Sequence, residues 1–236
     1  MDARGIIPHF VGCLAHARTS QEGADHPRCS PSGRCFGSVR MSARDSDPHI
    51  GLVVEGPGDK AAAPLLLRRI LHTLDVYEDV LGKPIPTNGR GAMTTPGGIE
   101  GFVAAAAARP GCRVVIVVAD VDDDLSCELG PELLKRASSV VSKPVVIVLA
   151  ERCFEDWIYA SYETLELDIP EHSPQKRGAN VIKHAVASTG SKYVKSVWQP
   201  RLTNRIDIST AASRSGSLER LLLKIEDILR QHFARS

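Results

Sequence analysis

Glu55, Asp120 and Asp122 stand where side chains of their type can do chemistry together, each just beyond a short run of buried-looking apolar residues. Glu55 follows Ile50-Gly51-Leu52-Val53-Val54, and Asp120 follows Arg113-Val114-Val115-Ile116-Val117-Val118-Ala119. A carboxylate at the end of a buried strand loses hydration, and a cation or a hydrogen-bond donor must compensate it. If the extended backbone persists beyond Asp120, Asp122 points the same way and both can grip one hard cation, with Glu55 as a third oxygen donor. A few oxygen ligands completed by water suit Mg²⁺, with Mn²⁺ as a substitute. Taken alone, Asp122-Asp123-Asp124 reads rather as a solvated acidic loop; Glu55-Gly56 at a second strand end shifts the balance toward metal.

A third apolar run, Pro144 to Ala150, ends at Glu151, with Glu155 one helical turn further on. The two share a helix face if the helix begins early, and either could complete a metal shell or act as general base. Glu151 also reads as a carboxylate placed against a helix N-terminus. Trp157 fits a core position better than a substrate platform.

Between Lys176 and Ile206 stand Lys176, Arg177, Lys183, Lys192, Lys195, Arg201 and Arg205, with no Asp or Glu and with Tyr193 and Trp198 interleaved. This is the composition of a surface that grips phosphates and stacks bases. An acidic metal cluster beside a basic strip is what phosphodiester chemistry requires, because metal handles the reacting phosphate and cations hold its flanks. The alternative is a solvated basic face packed against the acidic stretch 155–171.

The elements that must position these groups follow from periodicity. Three β-branched strands alternate with helices, the first helix reading through Ala61, Leu65, Leu66, Ile70, Leu71 and Leu74. Residues 87–98 form a Gly-, Pro- and Thr-rich loop, an Ala-rich helix spans 98–109, and a further helix starts at Pro131. Strands apolar throughout and alternating with helices mean a parallel sheet covered on both faces, an α/β doubly wound, Rossmann-like fold. In such sheets functional groups gather beyond the carboxyl ends of the strands. Residues 171–236 are expected to form a basic, mainly helical extension packed on a core of 49–170, ending in an amphipathic helix from Ser217.

With 29 Lys plus Arg against 28 acidic residues, net charge by itself points to no partner. No apolar run reaches the roughly 18–20 residues of a membrane span. Residues 5–17 imitate a signal peptide only loosely, because Pro8, His9 and Gly12 interrupt the apolar stretch, so a cytoplasmic protein is expected. Residues 1–48 lack periodicity and are expected to be a disordered leader, with Met41 as an alternative start. The scattered cysteines suit reduced thiols, and Cys13, Cys29 and Cys35 with His16 and His26 match no zinc-finger spacing. Gly56-Pro57-Gly58-Asp59-Lys60 lacks the Walker spacing, and a dinucleotide fingerprint is absent.

Strand, Glu55-Gly56, helix, then a strand ending in Asp120-x-Asp122 resembles the Toprim domain of topoisomerases, primases and OLD-type nucleases. Over 49–233 the chain looks more closely like an uncharacterised prokaryotic Toprim-like family, domain of unknown function 4276. The likeness rests on Val54-Glu55-Gly56-Pro57-Gly58-Asp59, Asp120-Val121-Asp122-Asp123, Ala150 to Trp157, and Gln199-Pro200 running on to Asp207. The resemblance implies a Toprim fold with divalent metal at Glu55, Asp120 and Asp122, and by OLD-type analogy an ATPase partner in DNA repair or phage defence. A fold cannot choose among strand transfer, polymerisation and hydrolysis. Hydrolysis is the simplest, so a Mg²⁺-dependent nuclease or phosphodiesterase is expected. A catalytically silent nucleic-acid-binding subunit and a phosphohydrolase acting on a small nucleotide are the alternatives.

Overall fold

The computed structural model describes residues 47–233. Expectations concerning the leader, Met41 and the first three cysteines therefore fall on residues outside this range. Within it, four parallel strands lie in the order β2-β1-β3-β4: β1 His49–Val54, β2 Ile85–Pro86, β3 Cys112–Asp120 and β4 Val145–Ala150. The sheet is flanked by helices on both faces, which makes this an α/β Rossmann-like fold with a helical C-terminal part.

Strand alternation sorts the core into two layers. Ile50, Leu52, Val54, Val114, Ile116 and Val118 point to one face. Val53, Val115, Val117 and Ala119 point to the other. The second face is covered by α3 (Gly98–Ala107) and α4 (Ser126–Ser138), with Met93 of the short α2 (Arg90–Thr94) joining them. The first is covered by α1 (Asp59–Thr73) and by the later helices α5 (Phe154–Tyr159), α6 (Gly178–Ser188), α7 (Lys195–Thr203), α8 (Ile208–Arg214) and α9 (Gly216–His232). In α9, Leu218, Leu221, Ile225 and Ile228 are buried against this layer, each contributing about 1.5–3 kcal/mol of transfer free energy. The residues after 170 thus complete the same core as the sheet. Ser215 caps α9 through Leu218 N, and Asp207 caps α8 through Thr210 N at 2.7 Å.

Two details depart from the periodicity. The loop expected over 87–98 contains α2, and α4 begins at Ser126 with Pro131 inside it. Proline there forgoes one main-chain bond, a loss the buried Leu129, Leu133 and Ala137 outweigh. Among the described residues, no helix is long and apolar enough to cross a membrane.

Candidate active site

β1 connects outward to β2, and the chain then returns across β1 to β3, so the crevice between β1 and β3 is the switch point of the sheet. Glu55 and Asp120 sit on its two sides. The Asp120 amide donates to Glu55 Oε2 at 2.9 Å, and Asp120 Oδ1 accepts from the Phe154 amide at the start of α5 at 2.8 Å. Asp120 is 7% exposed. The main chain at Glu55 is pinned from the β2 side, its carbonyl accepting from Thr87 Oγ1 at 3.0 Å and from the Gly89 amide at 2.9 Å. Arg90 closes the β3 side by donating to the Asp120 carbonyl at 2.7 Å and pairing with Asp124.

Two further buried carboxylates join them. Asp59, in the first turn of α1, accepts from the Gly56 amide at 3.0 Å and from Gln199 Nε2 at 2.8 Å. Glu155, in the first turn of α5, accepts from the Tyr193 hydroxyl at 2.8 Å. Asp59 and Glu155 are buried nearly completely, at 3% and 2% exposure. Into this group α7 sends Lys195, whose Nζ lies 3.5 Å from Asp120 Oδ2 and 3.6 Å from Asp59 Oδ1.

Gly58 makes that approach sterically feasible. A Cβ at this position would collide with Gln199 Oε1 and come within 2.8 Å of Lys195 Cγ. Gln199 is fully buried, and its Oε1 has no hydrogen-bond partner.

Electrostatics follow from burial. Desolvation pushes the Asp120 carboxyl up to about 8, with Asp59, Glu55 and Glu155 adding like charge and Lys195 opposing. Glu55 is raised, chiefly by burial and then by Asp59 and Asp122, against the stabilising Asp120 amide. Burial works against the Lys195 ammonium, yet Asp120, Glu155, Asp59 and Glu55 together outweigh it and hold its pKa above the ordinary lysine value. Burial also raises the Tyr193 hydroxyl, and the Cys153 thiol is pushed up to about 12, first by burial and then by Asp156 and Glu155.

The structure brings Glu55, Asp120 and Glu155 together, with Asp122 at the rim. The extended backbone does not persist: Asp122 has φ 55, and its amide donates to the Arg152 carbonyl. The left-handed turn ends side-chain alternation, and Asp122 Oδ1 is engaged by Arg177 at 2.6 Å. Glu151 lies in an exposed bend before α5, so it shares no helix face with Glu155. Among the described residues, no three Asp, Glu, His or Cys side chains form a ready-made metal cage. The carboxylates surround an ammonium instead.

The basic strip divides in four. Arg177 and Lys195 are turned to the acidic site, Arg205 ties to the Leu165 carbonyl and Glu166, and Lys176, Lys183 and Lys192 are exposed. Arg201 lies over the Trp198 ring, 4.9 Å from its centroid. Trp157 is core, fully buried with Nε1 donating to Ser217 Oγ at 2.8 Å. Asp59, Arg90 and Gln199 are site residues that spacing did not assign, and Tyr193, expected as an aromatic of the basic strip, donates to Glu155 instead. Asp59 and Gln199 lay in segments already singled out, but only the docking of α7 on α1 joins them.

A cavity of about 1600 Å³ lies at the opposite end of the sheet, lined by His49, Arg113, Leu229 and Phe233 among others. Strand-end acids are not found there, so we place the candidate chemistry at the β1–β3 crevice. Comparison with protein-family models, with curated proteins and with solved structures finds no match to this chain.

Proposed function

We propose that the chain is a Mg²⁺-dependent phosphodiesterase of Toprim type, a nuclease, with Mn²⁺ able to substitute. The observation that carries this reading is the group of Glu55, Asp59, Asp120 and Glu155 at the switch point of the sheet, answered by one ammonium. All the donors are oxygen, the charge is in surplus, and the buried Gln199 Oε1 lacks a partner, which together fit a hard divalent cation. Glu55 and Asp120 would hold it, with Asp122 reachable from the rim. A bound Mg²⁺ supplies polarisation of a phosphate oxygen and a lowered pKa for water.

The chain's own residues provide the rest. Glu155, fixed by Tyr193 and buried, is better placed to orient or deprotonate a water than the exposed Glu151. Lys195, Arg177 and Arg90 surround the crevice and offset charge on a phosphate. Lys176, Lys183, Lys192 and the Arg201–Trp198 stack remain for the flanks of a nucleic acid. An ATPase partner belongs to this proposal by resemblance alone.

A second reading is favoured by the commitment of Arg177, Lys195 and Arg205 to carboxylates, which leaves a thinner strip than a polymer substrate would use. The substrate is then a small nucleotide. One panel separates the readings: single- and double-stranded DNA and RNA oligonucleotides and free nucleotides, with Mg²⁺ or Mn²⁺. Metal-dependent cleavage of oligonucleotides that is lost in Asp120→Asn supports the first reading. Turnover of nucleotides alone supports the second. Nucleic-acid binding with no turnover under either metal overturns both, leaving a silent binding subunit.

A further inference from the structure

The ammonium of Lys195 stands where a cation is required. It lies within 3.6 Å of one oxygen of Asp59 and one of Asp120, and its field reaches Glu55 and Glu155 as well. Neutral donors fix all four carboxylates: the Asp120 amide on Glu55, the Phe154 amide on Asp120, the Tyr193 hydroxyl on Glu155, and the Gly56 amide and Gln199 Nε2 on the two oxygens of Asp59. Neutral donors orient carboxylates but do not cancel their charge. The only cation shared by Asp59 and Asp120 in the described residues is Lys195.

The fit of that cation is loose. Contacts of 3.5 and 3.6 Å are longer than the 2.7–2.9 Å of a close charge-assisted hydrogen bond. Lys195 is the first residue of α7, its side chain is 41% exposed, and its flexible stem can leave for solvent without moving the helix. Beside it, Gln199 presents a buried carbonyl oxygen with no donor, over the turn that carries Glu55 to Asp59. As placed, the ammonium leaves that oxygen without a donor; a small divalent cation with its waters can bring a donor to it as well as to both carboxylates.

We propose that Lys195 is a resident counter-cation that a divalent metal displaces, so that the ammonium and the metal compete for a position between Asp59 and Asp120, with Gln199 Oε1 in the outer shell. This rests on the metal-binding part of the reading above, though not on the identity of the substrate. It adds Asp59 and Gln199 to the metal's surroundings, which the spacing of Glu55, Asp120 and Asp122 does not.

The test is direct metal binding by the full chain, with Mn²⁺ followed by electron paramagnetic resonance and Mg²⁺ by calorimetry, for the parent, Lys195→Met and Lys195→Arg. Losing a half-exposed ion pair corresponds to about twofold to fivefold in an equilibrium constant. Lys195→Met should therefore bind Mn²⁺ about twofold to fivefold more tightly than the parent, and Lys195→Arg should not gain. Equal or weaker binding by Lys195→Met overturns the competition while leaving a metal site standing. Absence of Mn²⁺ and Mg²⁺ binding in every variant overturns both the competition and the metal reading. Should Lys195→Met fail to fold without metal, recovery of a cooperative melt on adding Mn²⁺ supports the exchange, and no recovery counts against it.

Discussion

On the face covered by α3 and α4, Arg136 meets Glu100 through two parallel bonds of 2.8 and 3.0 Å, and it also donates to the Thr94 and Thr95 carbonyls at 2.8 and 2.7 Å. At the strand ends, Lys195 reaches Asp59 and Asp120 only at 3.6 and 3.5 Å, with Glu55 and Glu155 close behind. The Arg136 side chain holds Glu100 below the ordinary carboxylate range, whereas burial and like charge push Asp120 to about 8. One cluster is balanced and ties α4 to α3 and α2. The other carries a surplus of negative charge that the fold tolerates, and the proposed chemistry rests on that surplus.

The contrast can be broken or sharpened by measurement. The largest effect is expected on activity: Glu55→Gln or Asp120→Asn should lower metal-dependent cleavage by about 10²–10³-fold or more, as loss of a preorganised electrostatic group does. Arg136→Ala should leave cleavage intact; steady-state assays of the three variants check both statements. Next is stability. Arg136→Ala strips partners from Glu100 and two carbonyls and should cost about 1–3 kcal/mol in denaturant unfolding. A cost near zero would dissolve the distinction between the clusters.

Asp120→Asn should shift stability less and in the other direction. Asparagine can still accept from Phe154 while removing a carboxyl that burial makes costly to ionise, so the metal-free protein should gain about 0.5–2 kcal/mol. Mg²⁺ should raise the melting temperature of the parent and hardly affect the variant. If Asp120→Asn instead destabilises and Mg²⁺ affects neither, Asp120 is purely an α5 cap.

The pH dependence should oppose the two clusters. Glu100 has its pKa lowered, so its pairing stabilises above the ordinary 4.5 and is lost as pH falls through the folded value. Asp120 is raised from 3.8 to about 8, so its contribution is present below 3.8 and is lost as pH rises through about 8. Metal-free melts between pH 4 and 9 should fall with rising pH in the parent and flatten in Asp120→Asn. The smallest effect belongs to the exposed part of the strip: Lys176→Glu with Lys183→Glu and Lys192→Glu should change stability by less than about 0.5 kcal/mol while weakening nucleic-acid binding and its salt slope.

The sheet was legible because β1, β3 and β4 are apolar on both faces, which few other elements tolerate. The two-residue β2 was not, since Ile85-Pro86 carries no periodicity and pairs through the register of β1. Glu55 and Asp120 could be read from strand ends, where topology dictates their meeting. At Asp122 the expected extended backbone gives way, because alternation holds only while φ stays negative and one left-handed residue ends it. Lys195 was visible as a phosphate-gripping base, not as a partner of Asp120. Charge patterning records which residues are cationic, whereas the pairing depends on α7 packing against Gly58, a steric fact of the fold.

The separation along the chain of the groups that meet at the crevice has a consequence in time. Asp120 lies 75 residues before Lys195, and Asp59 lies 140 before Gln199. During synthesis the sheet can pair while its acidic end still waits for α7, and closing so long a loop is slow compared with forming local helices. In that interval the strand ends repel one another without an internal cation to quiet them. Free magnesium in the surrounding solution would then act as a placeholder for a helix not yet made, and refolding should be faster in its presence, by an amount that Asp120→Asn removes.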